Sequence, residues 1–182
     1  VSLNKIANDL ALMGSGPRAG LAEIALPELQ KGSSIMPGKV NPVIPEVVIQ
    51  VAAQVIGNDT AITIAGSQGQ FELNVRVPLI ARNLLGSIKL LSSASRLLDE
   101  KCVAGIEANV AANELHAEAT LATATALNPH IGYDRASEIV AEAARSGRAL
   151  REVAIELGVE EAILTEALDH NKMARPHGGD QP

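Results

Sequence analysis

The sequence predicts an all-α fold, a long-helix bundle segment followed by a small C-terminal helical domain. Three observations carry that reading. Hydrophobic residues make up 47% of the 182 positions but aromatics only 1%, so the core must be built from Leu, Ile, Val and Ala, a palette suited to helices packed closely on helices. Apolar residues recur at spacings of three and four. Two long apolar stretches, near 43–66 and 77–102, each suffice for a helix of about seven turns. A chain of this length can bury a sizeable core, and disorder is not expected.

In chain order, Leu3, Ile6, Leu10 and Met13 form the stripe of a first amphipathic helix closed by Gly14. The periodicity starts almost at Val1, without an initiator methionine, which reads as a chain entered part-way through a helix: a processed protein or the C-terminal piece of a longer one. Residues 15–41 carry Pro17, Pro27, Pro37 and several glycines, too much punctuation for regular structure. An extended loop is expected there, ordered by Leu21, Ile24, Leu26, Leu29, Ile35 and Met36, and ordered loops of such length commonly serve function. The next helix should start with Asn41 as cap and Pro42 or Pro45 in its first turn, and end at Gly66. Val47, Val48, Ile49, Val51, Val55 and Ile56 leave it almost no polar face, so other helices must surround it. A second long helix is expected from about Val77 to Cys102, with Ile80, Leu84, Ile88, Leu91 and Leu98 at bundle spacing. Two such helices cannot bury each other fully, which points to a homo-oligomeric bundle. Beyond Gly105 shorter alanine-rich helices are expected near Asn109–Leu127, Tyr133–Arg145, Arg148–Leu157 and Glu160–Asp169, with a frayed tail from Asn171. The division is then a bundle domain over 1–108 and a small helical domain over 109–182.

Composition excludes several function classes. The net charge of −6 gives no basic footprint for nucleic acid or an anionic membrane surface. Glu46, Gln50, Gln54, Asn58 and Asp59 interrupt the most apolar stretch, which argues against a membrane span. The single Cys102 rules out an intramolecular disulfide, fits a reducing compartment and reads as a small buried residue. With no signal-peptide pattern visible, a cytoplasmic location is expected. His116, His130, His170 and His177 fall at no helical metal-ligand spacing, and one cysteine cannot build a structural zinc site; no metal is expected, and the histidines read as surface or capping residues.

Chemistry concentrates in "GSSIMPGKVNP", Gly32 to Pro42. The run approaches a phosphate-binding loop, but five residues separate Gly32 from Gly38, Val40 stands where the metal-binding hydroxyl belongs, and no strand pattern precedes it. A serine hydrolase needs a base and an orienting carboxylate, and no histidine forms a nucleophile elbow with Ser33 or Ser34. A carboxylate site is what remains. The helix start offers N–H groups and a partial positive charge, Lys39 a full charge, Asn41 a directional donor, and Ser33 and Ser34 hydroxyls. The plainer alternative is an N-capped helix behind a polar turn. Glu46 likewise has a plain reading, as a first-turn carboxylate favoured by the helix dipole.

"GSSIMPGKVNPVIPE" matches every fixed position of the G-S-S-x-x-P-x-K-x-N-x-x-x-x-E signature, and the chain resembles the fumarase/aspartase superfamily. The similarity extends to "GSGPRAGLAEIALPE", "QVIGNDTAIT", "FELNV", "EKCVAGI" and "TALNPHIGYD". Within the superfamily, Gly38, Phe71, Glu72 and Tyr133 look like class II fumarase, whereas aspartases typically have Ala at the position of Gly38; "NPVIPEVV" is shared with aspartase. The resemblance implies reversible hydration of fumarate to (S)-malate without metal or organic cofactor. It implies Ser33 as general base in its alkoxide form, and Lys39 and Asn41 as holders of the carboxylate that becomes the aci-acid. Ser34 and the Val40 backbone would complete the substrate contacts, and Glu46 would pair with a catalytic histidine from elsewhere in the assembly. It further implies a homotetramer whose sites draw on three chains, with histidine and threonine segments from an N-terminal half that this sequence lacks. The 182-residue chain alone is therefore expected to be inactive. Aspartate ammonia-lyase is the near competitor, and a non-catalytic helical assembly fragment the distant one.

Overall fold

In a computed structural model, residues 1–175 are described; His177 and the rest of the expected frayed tail beyond Arg175 lie outside the described residues. The chain divides into two compact units, Val1–Asn109 and a second that begins at Val110.

In the first unit, α1 (Ser2–Met13) ends where the Gly14 N–H reaches the Leu10 carbonyl. After a long connection come α2 (Val43–Gly66) and α3 (Val77–Lys101). Both α1 and α3 pack along α2, and their apolar stripes meet in a core of Ala7, Leu10, Ile44, Val48, Ala94, Leu98 and Cys102. A polar tie from Asn58 Nδ2 to Ser87 Oγ (3.0 Å) joins α2 to α3 further along. By length and composition alone α2 is apolar enough to cross a membrane, but here two helices line it. Between α2 and α3 a turn brackets Gln70 and Leu73, with Phe71 exposed at φ +54°, and Arg76 closes it on Gln68 (Nη2 to Oε1, 2.8 Å).

The connection from 15 to 42 contains no helix, as its prolines and glycines dictate. It does contain a feature the periodicity gave no sign of: β1 (Ile24–Ala25) pairs antiparallel with β2 (Glu107–Ala108), Ile24 opposite Ala108 and Ala25 opposite Glu107. The start of α2 also departs from expectation. Pro42, not Asn41, occupies the N-cap position, and no side chain caps the helix. Asn41 is instead drawn back onto the loop, where its Nδ2 donates to the Gly32 carbonyl.

In the second unit the helix expected over Asn109–Leu127 is broken. α4 (Val110–Ala119) stops at Thr120, whose Oγ1 accepts from the Ala122 N–H and so starts a separate 3₁₀ helix, Leu121–Leu127. Threonine hydroxyls offer the backbone such an alternative to a continuing α-helix. α5 (Asn128–Ile131), α6 (Tyr133–Ser146), α7 (Leu150–Glu156) and α8 (Glu161–Ala167) follow. Gly147 at φ +69° ends α6 in the left-handed conformation that favours glycine. Of the stretch expected to fray, Asn171–Met173 belong to α9 (His170–Met173), capped by Asp169 through the Lys172 N–H. Leu127, Ile139, Leu150, Val153 and Leu164 form the core of this unit.

Ile139 is 0% exposed, whereas Leu115 on α4 is 67% exposed. Ile139→Ala should cost about 2–5 kcal/mol and Leu115→Ala within about 0.5 kcal/mol in urea unfolding followed by circular dichroism. Equal costs would contradict this core.

Candidate active site

The loop that carries the polar cluster is anchored at its base before it projects. Asn109 donates from Nδ2 to the Ala22 carbonyl (2.9 Å) and from its N–H to the Glu23 carbonyl (2.9 Å), extending the β1–β2 pairing by one register. Gly105 lies so close to Pro27 that a Cβ there would approach its Cγ to 2.7 Å. Leu26, Pro27 and Leu29 line a small crevice with Pro42–Pro45, Lys101 and Cys102. Residues 22–29 are thus held at the junction of the α2 start and the α3 end, and the segment from 30 to 41 is left to form the site.

That segment closes on itself. The Gly32 N–H donates to the Lys39 carbonyl (3.0 Å), and Asn41 Nδ2 donates to the Gly32 carbonyl (2.9 Å). Inside this closure Ser33 Oγ accepts from two backbone amides, Ile35 N–H and Met36 N–H, both at 3.2 Å. The Lys39 N–H reaches the Met36 carbonyl at 3.4 Å, and Gly38 takes φ +75° at the tip. Ser33 and Asn41 are half-buried, while Ser34, Lys39 and Val40 are exposed. Lys39 makes no ion pair among the described residues.

Sequence reasoning placed Ser33, Lys39 and Asn41 in one cluster, and one closed loop holds all three, with Ser34 and Val40 on its exposed side. Glu46 stands apart, exposed in the first turn of α2, with its carbonyl accepting from Gln50 Nε2 (3.3 Å). What the sequence reasoning did not name are the Ile35 and Met36 amides and the carbonyl of Gly32. A signal was available for the first two, since serine hydroxyls commonly accept from N–H groups two and three residues on.

Electrostatically the loop gathers several groups that favour negative charge. Two N–H dipoles converge on Ser33 Oγ, which favours an oxyanion there. Lys39 supplies an exposed positive charge, and the uncapped start of α2 a fixed partial one. No group of three or more His, Cys, Asp or Glu side chains that could hold a metal occurs among the described residues.

Residues 1–57 match the family described as "Lyase", and residues 124–175 match "Fumarase C C-terminus". The chain belongs to the fumarase/aspartase superfamily. It is 53% identical over 170 residues to the class II fumarate hydratase of Mycobacterium tuberculosis strain H37Rv, covering 93% of this chain and 36% of that protein. It is 49% identical over 177 residues to an aspartate ammonia-lyase of Bacillus sp, covering 97% of this chain and 38% of the relative. Among solved structures, the class II fumarase of Schistosoma mansoni superposes with a TM-score of 0.90 at 42% identity, over 97% of this chain and 37% of that one. The chain thus spans little more than a third of the length of the relatives it matches.

Burial pushes the Cys102 thiol above its ordinary value at the base of the site. A raised value leaves even less thiolate at neutral pH, and the side chain is only 1% exposed. Ellman's reagent at pH 8 should therefore leave the native protein unmodified and titrate one thiol after denaturation. Fast labelling of the folded protein would contradict the packing around α3.

Proposed function

We propose that this chain supplies the C-terminal part of the catalytic site of a fumarate hydratase, which interconverts (S)-malate and fumarate plus water. The hard step is removal of a proton from the carbon beside a carboxylate, because the electron pair left behind enters a group that is already anionic. Ser33, as alkoxide, takes that proton; the pair delocalises into the carboxylate as an aci-acid dianion; expulsion of the hydroxyl from the neighbouring carbon, protonated to water, leaves fumarate. The observation that carries the reading is the pair of amides on Ser33 Oγ, within a loop whose signature belongs to the superfamily. A serine hydroxyl is too weak an acid to serve as base unaided, and preorganised donors of this kind each contribute about 3–4 kcal/mol where their loss has been measured.

Lys39 and Asn41 hold the carboxylate that accepts the charge. Asn41 has two N–H donors, so it can grip the Gly32 carbonyl with one and the substrate with the other. Ser34 and the Val40 backbone complete the contacts, and Glu46 orients a histidine supplied by another segment of the assembly. No metal or organic cofactor takes part. The oligomer is a homotetramer with shared sites, a reading supported by apolar residues that one chain leaves exposed along α2 and α3, among them Ile56, Ile64, Leu84, Leu85 and Ile88. A cytoplasmic location accompanies this reading.

Aspartate ammonia-lyase is the second reading, favoured by the 49% identity to one such relative. Against it stands Gly38: its φ of +75° is a conformation that disfavours the Ala typical of aspartases at this position.

Fumarate absorbance should rise when the full-length protein is given malate and stay flat with aspartate; the opposite pattern would reverse the assignment. The 182-residue chain by itself should show no turnover. Ser33→Ala should abolish turnover with the oligomer intact, and retention of more than about 5% of kcat would remove Ser33 as base, because a lost proton acceptor typically costs 10²-fold or more. Lys39→Met should raise KM and lower kcat together, whereas a KM effect alone would mean that Lys39 binds ground and transition states equally.

A further inference from the structure

We infer that Gly32 is a positioning residue of this site, chosen for its missing side chain, and that it sets the placement of Lys39 and Ser33 relative to each other. The inference rests on the hydratase reading above. Gly32 is gripped from both sides: its N–H donates to the Lys39 carbonyl at 3.0 Å, and its carbonyl accepts from Asn41 Nδ2 at 2.9 Å. A Cβ on Gly32 would lie 2.1 Å from the Lys39 carbonyl oxygen and 2.6 Å from its carbonyl carbon. Those atoms are backbone, so no side-chain rotation can relieve the overlap. The two strands of the loop would have to separate.

The reason for glycine here is space alone. Gly38, in the same loop, is the reverse case: its φ is +75° and a Cβ there would meet nothing within 4 Å. Separation at Gly32 acts directly on the chemistry because Ser33 is the next residue and Lys39 the opposite one. The strand bearing the base and the strand bearing the cation meet through this contact. Displacements of about 1 Å at reacting groups cost on the order of 100-fold in rate.

The test compares Gly32→Ala with wild type in the full-length protein, alone and combined with Lys39→Met. Gly32→Ala should lower kcat/KM by about 100-fold with oligomeric state and melting temperature unchanged. In the Lys39→Met background the same change should cost about tenfold or less, since one of the two groups it misplaces is already gone and only the placement of Ser33 is left to lose. Equal losses in the two backgrounds would mark Gly32 as a general structural residue, and a loss under about threefold in the single variant would do the same; either result overturns the proposal. Should Gly32→Ala fail to assemble, residue-resolved hydrogen exchange on the wild-type protein decides. The Gly32 amide should exchange at least about tenfold more slowly than that of Gly38, and equal rates would overturn the closure. Malate and aspartate are assayed on wild type in parallel, so a wrong hydratase assignment appears there, while the exchange measurement reports on Gly32 whichever substrate is used.

Discussion

The burial of the first turn of α2 is the constraint on which the core and the candidate site both depend. Ile44, Pro45 and Val48 are buried, and Ile44 and Val48 share a cluster with Ala7 and Leu10 of α1 and with Leu98 and Cys102 at the α3 end. Burying a side chain of this size stabilises by about 1.5–3 kcal/mol, against about 0.5–1.5 kcal/mol for a single loop hydrogen bond. Packing therefore fixes where the helix starts and where its positive end points, and the hydrogen bonds around Gly32 and Asn41 only shape what hangs from it. Pro45 fits this arrangement because a first-turn position needs no N–H donor. The price is an uncapped helix start, which leaves the local field free to act on an anion.

The strap at the base follows the same logic. A connection of this length between α1 and α2 would have many conformations if only its ends were fixed. β1–β2 pairing, the two Asn109 bonds and the Gly105–Pro27 contact fix its middle. Only the stretch from about residue 30 onwards then has to be ordered by its own bonds. Those are local, joining residues no more than nine apart.

Much of the helical architecture was legible because it is periodic. α1, α2 and α3 lie within a residue or two of the bounds expected from Leu and Ile spacing and from Gly14 and Gly66. Three features were not legible, each for a physical reason. The two-residue strands are too short for an alternating pattern to register, and their partners are separated by more than eighty residues. The break at Thr120 depends on which way one hydroxyl turns, a choice that composition does not encode. Asn41 has the right chemistry for an N-cap, and a competing acceptor on Gly32, nine residues away, takes its side chain. The cluster of polar residues was evident from the sequence. The donors to Ser33 are backbone amides, which every residue carries; the tendency of a serine hydroxyl to accept from the second and third amides onward points to Ile35 and Met36, and the fold shows that both bonds form here.

The exposure of the loop links its chemistry to assembly. Lys39 and Ser34 stand in solvent, where a charge at 4 Å is worth about 1 kcal/mol; at the effective dielectric of a covered protein site the same charge is worth about 4 kcal/mol. On the proposed reading, a transition state that gathers two negative charges on one carboxylate needs the larger figure. Within the first unit the described residues leave Ser34 and Lys39 exposed on the loop and Ile56, Leu85 and Ile88 exposed on the long helices. One event, the docking of further chain segments along α2 and α3, would bury the apolar faces and exclude water from the loop. The hydrophobic effect that drives assembly would then also strengthen the electrostatics that drive the reaction. In that arrangement the apolar residues on the long helices contribute to catalysis without touching the substrate, because the field of Lys39 depends on what they bring to lie over it.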